Sequence, residues 1–294
     1  MSSSSTSGAR RVPRTQHTVS SERSRLAVLG SPISHSKSPT IHRAAYAALG
    51  LDWRYEAIEV TGETLAGFVG SLDSTWRGLS LTMPLKRDVL PLLDWRAPLV
   101  ELVGGANTLL LADDGVRGYN TDVYGVERSF REAGVESLGL VHVLGAGATA
   151  ASVIAGVARL GATGVVVAAR TPAKAAPLVE LGRELGVPVT VTEWRVADSV
   201  PDAVVSTLPG GQNDLVFPEA VRAASVLFDV AYDPWPSELA ARWADAGGRV
   251  IAGIELLLNQ ALGQVRVFVG GDPDLPLPNE DAVVAAMRAS VWED

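Results

Sequence analysis

Val141-His142-Val143-Leu144 runs straight into Gly145-Ala146-Gly147-Ala148-Thr149-Ala150. An apolar strand pattern thus passes into a glycine pair and then a helix-forming stretch. The first glycine permits a tight turn, and the second lets a phosphate approach the backbone. A small third residue, here Ala150, lets helix and strand pack closely. The helix start then offers free N–H groups and the positive end of its dipole to a pyrophosphate. After the next apolar run come Arg170, Thr171 and Lys174. An enzyme reading an unphosphorylated ribose places Asp or Glu there, and this segment has neither. Arg170 and Lys174 suit a 2′-phosphate, so the pattern favours NADP over NAD. The plainer alternative for the pair is a solvated basic turn.

Other polar residues stand where strands give way to helices, which is where α/β sheets bind ligands. Gly30-Ser31-Pro32-Ile33-Ser34-His35-Ser36-Lys37-Ser38-Pro39 follows the first apolar run. In an extended segment Ser36 and Ser38, two apart, would point the same way and could hold a carboxylate. Simple capping of the next helix explains them equally well. Thr82 and Lys86 lie at a strand-to-helix passage, Asn107 lies between two turns, and Asp122 opens a helix. A single Lys or Asp is usually a solvated surface charge. Together these residues outline a pocket beside the dinucleotide segment.

The elements that must position them alternate. Strand patterns cover 26–29, 54–60 and 78–83, with helices at 39–49 and 64–72. A hairpin covers 107–119, and a helix runs over 123–133. A second series places strands at 140–144, 164–169, 187–192, 203–207, 226–230 and 249–251. Helices fall at 148–160, 172–185 and 237–246, then at 254–268 and from 280. Strands alternating with helices of ten or more residues imply βαβ units and a parallel sheet.

The chain has 294 residues, a length suited to two domains, and a formal charge of −8. Its acidic balance argues against broad nucleic-acid binding. Cysteine is absent and histidine numbers four, which excludes disulfides and thiolate chemistry and disfavours a metal site. No apolar run approaches the ~20 residues needed to cross a bilayer. Residues 1–25 hold five Arg against one Glu and no apolar run. They read as a disordered extension, with an organellar transit peptide as the alternative.

The segments S-H-S-K-S-P, T-M-P-L-K, G-A-N-T, N-T-D, G-A-G-A-T-A, A-A-R-T-P-A-K and G-I-E-L-L-L-N-Q-A occur in this order between about residues 26 and 288. In this respect the chain resembles shikimate dehydrogenases. The resemblance implies a two-domain α/β fold. A substrate-binding domain would comprise 26–121 plus 253–294, and a Rossmann-type NADP-binding domain 122–252. It implies NADP-dependent reduction of 3-dehydroshikimate to shikimate in aromatic amino-acid biosynthesis. Lys86 and Asp122 would form the catalytic pair. Ser36 and Ser38 would hold the substrate carboxylate with Tyr232 nearby, and Thr82, Asn107, Asp122 and Gln260 would bind the rest of the substrate. Gly145, Ala146, Gly147, Ala148, Thr149, Ala150, Arg170, Thr171, Lys174 and Gly253 would bind the cofactor. No metal, nucleic acid or membrane is implied. A cytoplasmic monomer or homodimer is expected. Two departures touch specificity. Ser80 stands where the family often has Asn, and Leu256 where it often has Met. A quinate or aminoshikimate dehydrogenase, or a non-catalytic NADP-binding regulator, stays open on the same fold.

Overall fold

The computed structural model describes residues 24–196, 198–209 and 214–292. The expected tail lies outside them up to residue 23, but Ser24 and Arg25 belong to the fold. Ser24 N–H donates to the Thr75 carbonyl at 3.0 Å, and Ser24 C=O accepts from Arg54 N–H at 2.8 Å. The Arg25 guanidinium lies 4.3 Å from the Trp76 ring centroid. Strand pairing uses backbone groups, so a charged side chain does not end the strand where the apolar run ends.

The first sheet begins with β1 (Arg25–Gly30), α1 (Ser38–Ala48), β2 (Arg54–Glu59), α2 (Gly62–Gly70) and β3 (Trp76–Leu81). It continues with α3 (Leu85–Asp88), β4 (Trp95–Arg96), α4 (Pro98–Val103) and the hairpin β5 (Thr108–Ala112) and β6 (Gly115–Tyr119). Its strand order is β2-β1-β3-β5-β6-β4. The sheet is mixed: β1 pairs parallel with β2 and β3, whereas β3/β5 and β5/β6 are antiparallel. Successive β1 side chains face opposite layers. Leu26 and Val28 join the cluster of Ile41, Tyr46 and Phe268, and Ala27 and Leu29 join that of Leu65, Leu79 and Leu109.

After α5 (Asp122–Glu132), the second sheet comprises β7 (Leu140–Leu144), α6 (Ala148–Arg159), β8 (Gly164–Ala168), α7 (Ala176–Leu185) and β9 (Val189–Thr192). It ends with β10 (Ala203–Ser206), α8 (Glu219–Ala224), β11 (Val226–Asp229), α9 (Glu238–Asp245) and β12 (Val250–Ala252). All its pairings are parallel, in the order β12-β11-β10-β7-β8-β9. That is the doubly wound order of a dinucleotide-binding sheet, with its reversal between β7 and β10. Alternation sorts Val141, Val143, Val165 and Val167 to one core and Leu144, Ala168 and Val204 to the other, around Trp243.

The chain closes with α10 (Gly253–Gly270) and α11 (Glu280–Trp292). Almost all of α10 is buried, and its Ile254, Leu258, Val265 and Phe268 complete the core under β1 and α1. It also crosses α5 at close range. A Cβ on Gly125 would lie 3.0 Å from both the backbone N and the Cβ of Gln260. Glycine there lets the two backbones approach.

Three short elements, β4, α4 and α8, are absent from the sequence reading. The helix expected over 172–185 is split: Pro172–Ala175 forms a 3₁₀ turn, and the α-helix starts at Ala176. Among the described residues no helix is long and apolar enough to cross a membrane, and no three His, Asp or Glu are grouped to hold a metal ion.

Candidate active site

Lys86, in the first turn of α3, donates from Nζ to Asp122 Oδ2 at 2.7 Å. Their side chains are 15% and 5% exposed, so the pair is shielded from bulk solvent. Asp122 is the first residue of α5, where the helix dipole favours a carboxylate. Its backbone N–H is held by Asn120 Oδ1 at 3.1 Å.

Asn107 joins the strands to this pair. Its Nδ2 lies 2.9 Å from Asp122 Oδ1, 3.0 Å from Thr121 Oγ1 and 3.2 Å from Gln260 Oε1, its two hydrogens shared among the three acceptors. Its Oδ1 accepts from Thr121 N–H at 2.9 Å and from Thr108 Oγ1 at 2.8 Å. Gln260 therefore lies two side chains from Lys86, although 174 positions separate them in the chain. A carboxylate with one oxygen on an amide and the other on an ammonium has little rotational freedom. It fixes the direction of the Lys86 ammonium, which carries three donors.

The loop after β1 borders the same place. Ser31 N–H donates to Met83 C=O at 3.1 Å, and Thr82 N–H to Leu29 C=O at 2.9 Å. The loop is not the extended run expected from alternation. Ser38 opens α1, and Ser36 Oγ accepts from Ser38 N–H at 3.3 Å. A turn bond from the Ser38 backbone to the Ser36 hydroxyl, rather than a shared strand face, brings the two residues together, while Lys37 is the uncapped N-cap. Tyr232 is half-buried after β11 and packs against the Ile254–Leu258 cluster. Burial raises its phenol pKa above the ordinary value. Neighbouring Asp233 lies 3.7 Å from His35, setting the Tyr232 segment against the serine loop.

At the other sheet, Gly145 has φ +103°, a conformation that a side chain would strain. Gly147 is the N-cap of α6, which no side chain caps, and a Cβ there would meet nothing within 4 Å. Open space above an uncapped helix start is what a pyrophosphate requires. Ala150 is fully buried, as close packing of α6 demands. Arg170 lies exposed beyond β8, its guanidinium 5.2 Å from the Trp194 ring centroid. Thr171 and Lys174 are exposed beside it, Lys174 N–H donating to Thr171 C=O at 3.0 Å within the 3₁₀ turn. These residues fit a phosphorylated dinucleotide. Gly253 has a packing reason of its own: a Cβ would come within 2.2 Å of Val230 C=O.

Sequence reading missed a buried layer below Asn107. Ser80 Oγ donates to Gln264 Oε1 at 2.9 Å and accepts from Tyr55 OH at 2.6 Å. His42 Nε2 lies 3.1 Å from Gln264 Oε1, and its Nδ1 lies 3.1 Å from Tyr46 OH. Gln264 Nε2 then donates to Asn107 C=O at 3.0 Å. The signal was available in part. Gln264 follows Gln260 by four, which puts both on one helix face, and His42 and Tyr46 share that spacing.

A family model described as the shikimate dehydrogenase substrate binding domain matches residues 28–109, which include Ser36, Ser38, Thr82, Lys86 and Asn107. A shikimate dehydrogenase (NADP(+)) of Rubrobacter xylanophilus is 36% identical over 276 residues, covering 90% of this chain and 95% of its own. The chain belongs to the shikimate dehydrogenase family. Two solved structures agree with that membership. The shikimate dehydrogenase of Mycobacterium tuberculosis is 41% identical, with TM-score 0.78 over 90% of this chain and 99% of its own. The shikimate 5-dehydrogenase of Thermus thermophilus, solved with NADP(H) and shikimate, is 28% identical. Its TM-score is 0.75 over 91% of this chain and all of its own. Within this shikimate dehydrogenase family member, Gln264 and Tyr55 satisfy the Ser80 hydroxyl.

Proposed function

We propose that the chain catalyses NADP-dependent, reversible reduction of 3-dehydroshikimate to shikimate. The observation that carries this is the Lys86–Asp122 pair, fixed by Asn107 and backed by Gln260. The site lies between two units, 26–121 plus 253–294 for substrate and 122–252 for cofactor. NADPH, when bound, supplies the hydride for the carbonyl carbon. As that carbon is reduced, its oxygen gains negative charge. Lys86 Nζ stabilises the charge and passes a proton to the oxygen, giving the hydroxyl. Asp122 keeps the ammonium aimed during transfer, and Lys86 is reprotonated from solvent. In the oxidative direction Lys86 accepts the proton. Ser36 and Ser38, with Tyr232, hold the substrate carboxylate, and Thr82, Asn107 and Gln260 bind its oxygens. Gly145 through Ala150 hold the pyrophosphate, with Arg170, Thr171 and Lys174 on the 2′-phosphate. A cytoplasmic enzyme, monomeric or homodimeric, completes the reading.

Nicotinamide absorbance measured with shikimate and with quinate, each against NADP and NAD, tests it. Turnover greatest with shikimate and NADP is expected. Preference for quinate with NAD would assign the chain to the neighbouring activity, and binding without turnover would assign it to a regulator.

Replacing either Ser36 or Ser38 by Ala is expected to raise the KM for shikimate with little change in kcat. The carboxylate is held alike in ground and transition states, so only uniform binding is lost. An unchanged KM would return the serines to helix capping. Arg170→Ala is expected to weaken NADP by about 10- to 100-fold and leave NAD nearly unaffected, since charge-assisted bonds to one phosphate are lost. Equal weakening of both would remove Arg170 from 2′-phosphate recognition.

A further inference from the structure

Arg170, Trp194 and Asp214 come from three different connections at the carboxyl ends of the second sheet's strands. Arg170 follows β8, Trp194 follows β9, and Asp214 lies between β10 and α8. The Arg170 guanidinium lies over the Trp194 ring at 5.2 Å from its centroid. The indole Nε1 donates to Asp214 Oδ1 at 2.5 Å. That bond foremost, then Asp214's own backbone N–H and, least, the Arg170 charge, hold the Asp214 carboxyl below its usual range.

We infer that Trp194 is a specificity-determining positioning residue: its ring seats the Arg170 guanidinium for the 2′-phosphate, and the Asp214 bond fixes the ring. The inference rests on the reading that Arg170 recognises that phosphate. An arginine on an exposed loop has many rotamers, and ordering them on binding opposes affinity. An indole face removes part of that cost beforehand and leaves the cationic charge intact. Asp214 would repel a phosphate if its charge faced the site unscreened. Committing Oδ1 to the indole N–H turns it into a pin for the ring. The plainer role for Trp194 is apolar packing, since the ring borders the cluster of Leu144, Phe217 and Trp243. That role would support both dinucleotides alike.

Calorimetric titration of the full chain with NADP and with NAD, without substrate, separates the two roles. Trp194→Leu is expected to weaken NADP about two- to fivefold, the size of an exposed cation–π contact, with NAD unchanged. Trp194→Phe keeps a ring face but loses the Asp214 bond, and is expected to bind NADP more weakly than wild type but more tightly than Trp194→Leu; an affinity equal to wild type would overturn the role of Asp214 as pin. On an Arg170→Ala background, Trp194→Leu should add nothing, because the group it seats is gone. Equal weakening of NADP and NAD by Trp194→Leu overturns the inference, as does no weakening or an undiminished effect without Arg170. If Arg170→Ala itself fails to distinguish NADP from NAD, the underlying phosphate reading falls instead. A selective Arg170→Ala beside an unselective Trp194→Leu refutes the role of Trp194 alone.

Discussion

Lys86→Ala is expected to lower kcat by about 10²- to 10⁴-fold, the usual contribution of a positioned acid–base group. NADP binding should barely change, because Lys86 belongs to the first sheet and the dinucleotide residues to the second. The fold should survive as well. Asp122 would keep its bond to Asn107 at 2.9 Å and its place at the start of α5, so its charge is not left alone. Asp122→Asn should also be slow, since the amide no longer draws the ammonium into line. The two act as one unit if the double variant is little worse than the worse single one. The competing account is a structural ion pair whose loss loosens α3. It predicts a lowered Tm with activity recovered in the cold. A Lys86→Ala protein that melts like wild type and turns over at near-normal rate would end the catalytic assignment.

How much of this was legible in the sequence depends on how local the signal was. The β7–α6 turn is written in six consecutive residues, Gly145 to Ala150, where Gly145 takes a left-handed φ and Gly147 leaves open space at the helix start. The inner strands β8, β10 and β11 were equally plain, since parallel strands buried on both faces read as near-unbroken apolar runs. By contrast, Lys86 and Asp122 are 36 residues apart; their places at chain junctions put them in one pocket, but only the family resemblance made them a pair before the hydrogen bond did. Alternation misled at Ser36 and Ser38, because it assumed a strand where Ser38 already begins α1. The two-residue β4 is too short for any periodicity. Ser80 was noticed as a departure, yet nothing local could show that Gln264, 184 residues on, receives its hydroxyl.

That buried layer makes the chain acid-sensitive in a way that can be measured. His42 is fully buried and stacked on Tyr55 with ring centroids 4.0 Å apart. Burial lowers its pKa from 6.5 to about 3, and the hydrogen bond to Gln264 only partly opposes this. The groups facing it, Tyr46, Tyr55 and Gln264, are neutral, so nothing in contact compensates a proton. Tyr46 OH therefore donates to Nδ1, and Nε2–H donates to Gln264. In the unfolded chain the imidazole binds a proton below about pH 6.5, whereas in the folded chain it does so only below about 3. The unfolded state then holds more protons, and stability falls as the pH drops through that window. The slope approaches about 1.4 kcal/mol per pH unit and amounts to about 4–5 kcal/mol by pH 3. His142, lowered to about 4 mainly by burial, acts in the same direction, and Asp229, raised by burial, in the opposite one. Glu132 and Glu280, held low despite burial by hydrogen bonds to Asn259 and Arg266, also lose stability as the pH falls, so a single acid melt mixes many groups and the difference between wild type and His42→Gln is the quantity to read. Denaturant unfolding of both proteins between pH 7 and 4 is expected to give a steeper wild-type decline. The variant starts less stable but loses less per pH unit. Parallel curves would show that His42 takes up its proton over the same pH range in the folded chain as in the unfolded one. Only the Tyr46 bond would then turn round, with Nδ1–H donating to the phenol oxygen, because Nε2–H donates to Gln264 in either state.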